Sequence, residues 1–153
     1  MENNLDNIDN IRGSSQYVIF KLNQEYYGID IKFVETIEKI SEITRLPNAC
    51  EYIKGVFNLR GEVIPVVDAR VRFEMEEKDL TDESRIIILT IDEIIFGLLV
   101  DSSSEVLTIE NENIDSTNNL ANYSEDDYIK GIGKDGERMI LILDAFKILK
   151  EES

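Results

Sequence analysis

Two carboxylates, Asp68 and Asp144, open the search for chemistry, because each follows an apolar run and precedes Ala. A pair of acids contributed by two related halves is the arrangement in which one proton is shared between them. Neither Asp sits in the Asp-Thr/Ser-Gly setting that such dyads use, and both read instead as caps or turn formers after a buried strand. Cys50 is followed by Glu51, whose charge disfavours a thiolate, so it reads as a small loop or core residue. The run Asp101-Ser102-Ser103-Ser104-Glu105 carries oxygen ligands without the periodicity of a cation loop and reads as a strand-end turn. The chain has no His, which removes Ser-His-Asp hydrolases, Cys-His proteases and most zinc enzymes. It also lacks a phosphate-binding Gly loop, a dinucleotide fingerprint and a nucleophile elbow. The expectation is a protein with no catalytic residues, no metal and no cofactor.

A different chemistry is available at Asn58-Leu59-Arg60-Gly61. Asn first and Gly last suit a type I turn at a hairpin tip, which would present Arg60 beside the apolar Leu59 and Phe57. Arginine brings a planar donor fork and a buriable stem, and with apolar neighbours it makes a protein-recognition composition. The plainer reading has Leu59 and Phe57 plugging a barrel mouth while Arg60 is solvated.

The elements that must present this tip come in duplicate. Tyr52-Ile53-Lys54-Gly55-Val56 recurs as Tyr128-Ile129-Lys130-Gly131-Ile132, and Asp68-Ala69 as Asp144-Ala145, at an offset of 76. Residues 17–31 align with 86–100 at an offset of 69, placing Gly28 on Gly97. The acidic segment 110–127 absorbs the difference. Each unit, about 16–80 and about 85–150, is near the lower size limit for an independent core, so the two should lean on each other. Short apolar runs broken by polar turns predict strands at 17–22, 26–31, 86–91 and 94–100, and hairpins over 54–67 and 130–143. Asp135-Gly136 marks the turn of the second hairpin. Helix is confined to a turn near 49–53, another at 69–73, and a short C-terminal helix from Asp144 to Lys150.

Duplication also sorts residues by role. Gly28, Gly97, Gly55 and Gly131 occur in both copies and read as tight backbone positions. Asp68 and Asp144 are likewise shared. The Arg60 tip faces Lys134-Asp135-Gly136-Glu137 and belongs to one copy only.

With 153 residues, 42% hydrophobic and 31% charged, the chain has the composition of one soluble globular domain. Its formal net charge is −16, and −13 of that lies in 1–15, 74–84 and 110–127, which read as a disordered acidic tail and connecting loops, with 151–153 a second tail. Such a field repels phosphate backbones and anionic lipid, so neither nucleic acid nor direct membrane insertion is expected. One cysteine, a polar acidic start and no apolar run of spanning length predict a cytoplasmic protein.

Taken together, Tyr26-Tyr27-Gly28-Ile29-Asp30-Ile31, Val34, Thr44-Arg45-Leu46-Pro47-Asn48, residues 52–61, and Val63-Ile64-Pro65-Val66-Val67-Asp68 closely resemble the CheW family of chemotaxis coupling proteins. The likeness runs on through Gly97, Val100-Asp101, Glu105-Val106 and 129–132 to Ile142-Leu143-Asp144. It implies a mostly β fold of two intertwined SH3-like five-stranded barrels. It implies a non-catalytic adaptor, a monomer alone, that joins chemoreceptor cytoplasmic tips to the regulatory domain of the histidine kinase CheA in membrane-associated arrays. Receptor-binding residues would be Val34, Glu35, Asn58, Leu59, Arg60 and Gly61; kinase-binding residues would be Gly55, Asp101, Glu105 and Val106. Members usually carry Glu where this chain has Thr36, and Leu where it has Ala69. A detached CheV-type coupling domain is the alternative within the class, and a small acid-pair enzyme the alternative outside it.

Overall fold

Strands whose two faces are both apolar must be covered on both sides, and that requirement organises this chain. The computed structural model describes residues 13–116 and 128–149. The strands are β1 (Ser14–Leu22), β2 (Glu25–Asp30), β3 (Val34–Lys39), β4 (Ile53–Leu59), β5 (Glu62–Asp68), β6 (Arg85–Ile91), β7 (Ile94–Val100), β8 (Ser102–Glu110), β9 (Ile114–Ser116), β10 (Ile129–Asp135) and β11 (Arg138–Leu143). A single turn of helix, α1 (Ala69–Arg72), follows β5. The tails at 1–12 and 150–153 and most of the acidic segment 110–127 lie outside the described residues.

The strands form two sheets, one in the order β8-β1-β2-β11-β10-β9 and the other β3-β6-β7-β5-β4. Each closes on itself through a continuing strand. Past β3 the chain reaches Thr44, which exchanges two 2.8 Å backbone hydrogen bonds with Val56 of β4. Past β8 a 3-10 turn leads into β9, which pairs with β10. β8 and β9 are thus one bent strand in two pieces, and each sheet is a five-membered barrel by that count.

The duplicated sequence units are not the spatial units. The hairpin β1–β2 leaves its own repeat and joins β8–β11, while β6–β7 joins β3–β5. Parallel pairs seal both exchanges, Ile142 opposite Gly28 and Val66 opposite Gly97. The boundaries near 80 and 85 mark the sequence repeat; the second sheet runs continuously from Val34 to Val100.

Alternation then divides the apolar residues. Tyr17 and Ile19 of β1 point into the first barrel with Ile109, Ile140 and Ile142. Phe57, Ile64, Val66, Ile86, Ile88 and Leu99 fill the second. Val18, Phe20 and Leu22 face the other way, into a layer of 16 buried residues between the barrels. That central layer outnumbers both barrel interiors, so neither barrel is a free-standing unit.

Glycines mark the closures. A Cβ on Gly97 would stand 2.5 Å from Ile86 Cγ2, and one on Gly28 3.1 Å from Ile140 Cγ2. At Gly55, a Cβ would collide with the Thr44 carbonyl oxygen, which is backbone of the closing bridge.

Four local expectations change. The first hairpin tip has Arg60 (φ 51°) and Gly61 (φ 89°) as its central pair, the geometry of a type I′ turn and not type I, because the primed twist matches the flanking strands. In the second hairpin Asp135 pairs with Arg138, so Gly136 (φ 62°) and Glu137 are central, not Asp135-Gly136. Asp144 caps only a 3-10 turn, Ala145–Lys147, in place of the expected helix to Lys150, and 49–53 is a non-helical turn. Asp68 does cap the helix predicted at 69–73: its Oδ1 accepts from the Arg70 and Val71 amides.

Gly55→Ala is expected to cost about 3 kcal/mol, since backbone must move, against about 1 kcal/mol for Gly28→Ala, where only side-chain methyls give way. Urea denaturation of both variants checks the order; equal costs would remove the backbone-closure argument.

Candidate docking surfaces

The residues with catalytic potential are all occupied structurally or stand alone. Asp68 and Asp144 are caps, the latter accepting from the Phe146 amide at 3.1 Å. Burial raises the Asp68 pKa, against amide hydrogen bonds from Val71 and Arg70 and the charge of Lys54. Cys50 is exposed. Among the described residues no three His, Cys, Asp or Glu converge as metal ligands. An open hollow of about 810 Å³ lies under the 41–51 loop, lined in part by Arg45, Cys50, Lys54 and Leu80. Cys50 and Asp68 both line it, but Asp68 is engaged by the Arg70 and Val71 amides and no described hydrogen bond joins Cys50 to a base.

What the molecule does offer is exposed apolar surface, distributed by the duplication. Ile37 and Val106 are equivalent at offset 69, and Val63 and Met139 at offset 76; all four are exposed, Val63 at 69% and Met139 at 58%. Both barrels therefore present apolar spots in matching places.

The flanks of the inter-barrel layer do not match. On one flank Arg70 of α1 is clamped to Asp101 (Nε–Oδ1 2.8 Å, Nη2–Oδ2 2.6 Å) and to Asn23 Oδ1 (2.6 Å). The Asn23 amide also donates to Asp101. Burial pushes the Asp101 carboxyl up, but the Arg70 guanidinium and the Asn23 amide outweigh it and hold it below its ordinary value. At the equivalent places on the other flank stand Phe146 for Arg70 and Lys32 for Asp101. Phe146 is 55% exposed and meets Phe33 edge-on at 5.3 Å, with Ile31 exposed nearby in sequence. One flank is an ion lock. The other carries an exposed aromatic pair.

Val34, half-buried, follows Phe33 at the start of β3, so this receptor candidate stands next to the aromatic pair. Glu35 is the extra residue of a β-bulge, since Val34 and Thr36 oppose the consecutive residues Leu89 and Ile88. Exposure still alternates along β3, with Glu35, Ile37 and Lys39 exposed and Val34, Thr36 and Glu38 half-buried; the Thr36 hydroxyl donates to Glu38. At the tip, Asn58 Oδ1 accepts from the Gly61 amide at 2.9 Å, which holds Arg60 exposed at the apex.

The kinase candidates separate into two kinds. Gly55 is buried at the barrel closure, and the partly buried Asp101 is engaged by Arg70. Val106 is 47% exposed. Glu105 is half-buried and pairs with Arg138 (2.5 Å), which also reaches Asp135 (2.6 Å) and lies over the Tyr26 ring. Both carboxylates raise the Arg138 pKa. Sequence reading did not single out Ile31, Phe33 or Phe146 for docking. The signal was the offset of 76, which sets Phe146 against Arg70, two residues of opposite kind at one repeat position.

A double β-barrel with matched apolar spots and an exposed aromatic pair is what the geometry offers. The residues 16–153 match the family described as "CheW-like domain". The chain is 36% identical over 137 residues to the chemotaxis protein CheW of Klebsiella aerogenes, covering 90% of this chain and 82% of that one. It is 37% identical over 143 residues to CheW of Bacillus subtilis, covering 94% and 92%. Among solved structures, the scaffolding protein TtCheW from Thermoanaerobacter tengcongensis superposes with a TM-score of 0.77 at 35% identity, covering 85% of this chain and 88% of that one. This chain belongs to the CheW-like domain family, whose proteins are chemotaxis scaffolds and adaptors and not enzymes.

The depressed Asp101 pKa gives a pH test. Its stabilisation is complete above the ordinary value of 3.8 and is lost as pH falls through the lower folded value. Asp101→Asn should therefore destabilise the protein at pH 7 and shrink the stability difference from the parent below about pH 3. A thermal-melt series from pH 7 to 2.5 reads it; a constant difference across the series would deny the linkage.

Proposed function

We propose that this chain couples chemoreceptor cytoplasmic tips to the regulatory domain of the histidine kinase CheA. It works in the cytoplasm, as a monomer alone and as part of membrane-associated receptor arrays with its partners. The observation that carries this reading is the aromatic pair of Phe33 and the exposed Phe146, which stands beside Val34. An amphipathic helix suits such a surface, laying apolar residues at helical spacing against it. The exposed Arg60 tip would add a planar donor for receptor carboxylates or carbonyls. Receptor contact is thus assigned to Val34, Glu35 and Asn58–Gly61, with Phe146 added to the set. The kinase side is assigned to the region of Asp101, Glu105 and Val106 and to the strand that Gly55 keeps in place. Bridging needs only modest affinity at each surface, because an array multiplies weak contacts. Among the described residues no helix is long and apolar enough to cross a membrane, so the bilayer would be reached through the receptor.

The test is titration of the protein into the isolated kinase regulatory domain and, separately, a soluble receptor tip fragment. Saturable binding to each with formation of a ternary complex is expected. Arg60→Glu and Phe146→Asp should each weaken receptor binding about tenfold or more while leaving kinase binding within about twofold. Equal loss at both partners, from folded variants, would overturn this division of surfaces. No binding to either partner by the parent protein would overturn the function itself.

A further inference from the structure

Arg72 lies in α1, attached to the second sheet, yet its described hydrogen bonds reach the end of the first. Its Nε donates to the Ile148 carbonyl (2.5 Å), Nη2 to the Lys147 carbonyl (3.2 Å) and Nη1 to the Tyr128 hydroxyl (2.5 Å). The guanidinium also sits over two rings, 4.6 Å from the Tyr52 centroid and 4.7 Å from that of Tyr128. Those tyrosines are the same residue of the two repeats, and each is tied to its own barrel. The Tyr52 carbonyl accepts from the Asp68 amide, and the Tyr128 carbonyl from the Asp144 amide, both at 2.8 Å. Arg72 is 8% exposed and occurs in one copy only; its repeat equivalent is Ile148, whose carbonyl it holds.

We propose that Arg72 is the positioning residue of the molecule: set between Tyr52 and Tyr128, it fixes the angle at which the two barrels meet. The aliphatic layer between the barrels is non-directional and supplies adhesion without a unique angle. A planar guanidinium facing two rings and bonded along its edges is directional, and only one relative orientation of the barrels satisfies all of these contacts. The angle has a consequence for binding. Phe33 and Phe146 follow the paired strands β2 and β11 of the first sheet, and Arg72 holds the Lys147 and Ile148 carbonyls of the segment that carries Phe146. Val34 begins β3 of the second sheet, so the angle sets the cleft between the aromatic pair and Val34. A partner laid across all three reads this angle, whereas a partner on one barrel end does not. That second part rests on the function proposed above.

The experiment uses the full chain with nitroxide labels at Val63→Cys and Met139→Cys, one exposed site per barrel, in a Cys50→Ser background. Double electron–electron resonance should give one narrow distance distribution for the parent. In Arg72→Met it should be at least about twofold broader, with the protein still folded by circular dichroism. Arg72→Lys keeps the charge but not the plate, and should be broad as well. If Arg72→Met does not fold, Tyr52→Leu, which removes one stacking face, carries the same expectation. A distribution as narrow as the parent's in the folded variants would overturn the clamp. Receptor-fragment affinity should fall about tenfold in the same variants while kinase-domain affinity stays within about twofold; equal loss of both would overturn the link to the cleft. Failure of the parent to bind the fragment at all would count against the proposed function, and the distance measurement would still decide the role of Arg72.

Discussion

Neither repeat can enclose itself, and the rest of the structure follows from that constraint. A unit of this size buries too little apolar surface to balance the entropy of ordering its chain. Here the two units exchange their first hairpins, so that β1–β2 and β6–β7 each complete the other's barrel. The exchange gives every central strand two covered faces, one inside a barrel and one against the 16-residue layer between them. It also interlocks the two repeats, because pulling the repeats apart would break the parallel pair inside each sheet. The barrels themselves meet only through the layer between them and can tilt across it, which is why directional contacts at their junction matter.

Once the exchange is in place, divergence between the copies becomes informative. Positions that carry the closure stay alike: Gly28 with Gly97, Gly55 with Gly131, Asp68 with Asp144. Positions on the flanks of the central layer differ in kind. Arg70 and Asp101 form a salt bridge where the other flank has Phe146 and Lys32. An ion pair with side chains 9% and 18% exposed contributes little net stability after desolvation. It does place bonded polar groups on its flank where the other flank has an exposed aromatic ring. Among the described residues the pseudo-symmetric fold thereby gives its two flanks different chemistry.

Much of this architecture is legible in the sequence and part of it is not. The offsets of 69 and 76 locate the repeat, the paired glycines and both cap aspartates, because these depend on residue type at a fixed place. The exchange of hairpins is not legible: a strand with two apolar faces reads the same whichever sheet it enters. The bulge at Glu35 escapes for a related reason, since it shifts the pairing with β6 and leaves composition and the alternation of exposure unchanged. Arg60 at positive φ escapes because the Asn-x-x-Gly spacing suits an ordinary turn, whereas the strand twist selects the primed one. Residue type marks Arg60 as a docking candidate in the sequence, whereas Phe146 reads as core until its exposure is known.

An adaptor built this way separates holding from binding. The buried layer and the exchanged pairs hold the molecule, and they are apolar or backbone-satisfied, so they do not depend on any partner. The surfaces proposed for binding are small: an aromatic pair, a hairpin apex and a few exposed apolar spots repeated on both barrels. Small surfaces give weak contacts, and weak contacts are useful only if their mutual geometry is fixed, since a bridging protein that flexes loses the advantage of engaging two partners at once. The rigidity therefore has to come from polar, directional groups at the junction, and α1 supplies both of them from one turn of helix, Arg70 on one side and Arg72 on the other. That a four-residue helix is the only α-helix among the described residues, and carries both arginines inward, is the clearest sign that the relative placement of the barrels is itself what this fold has been shaped to control.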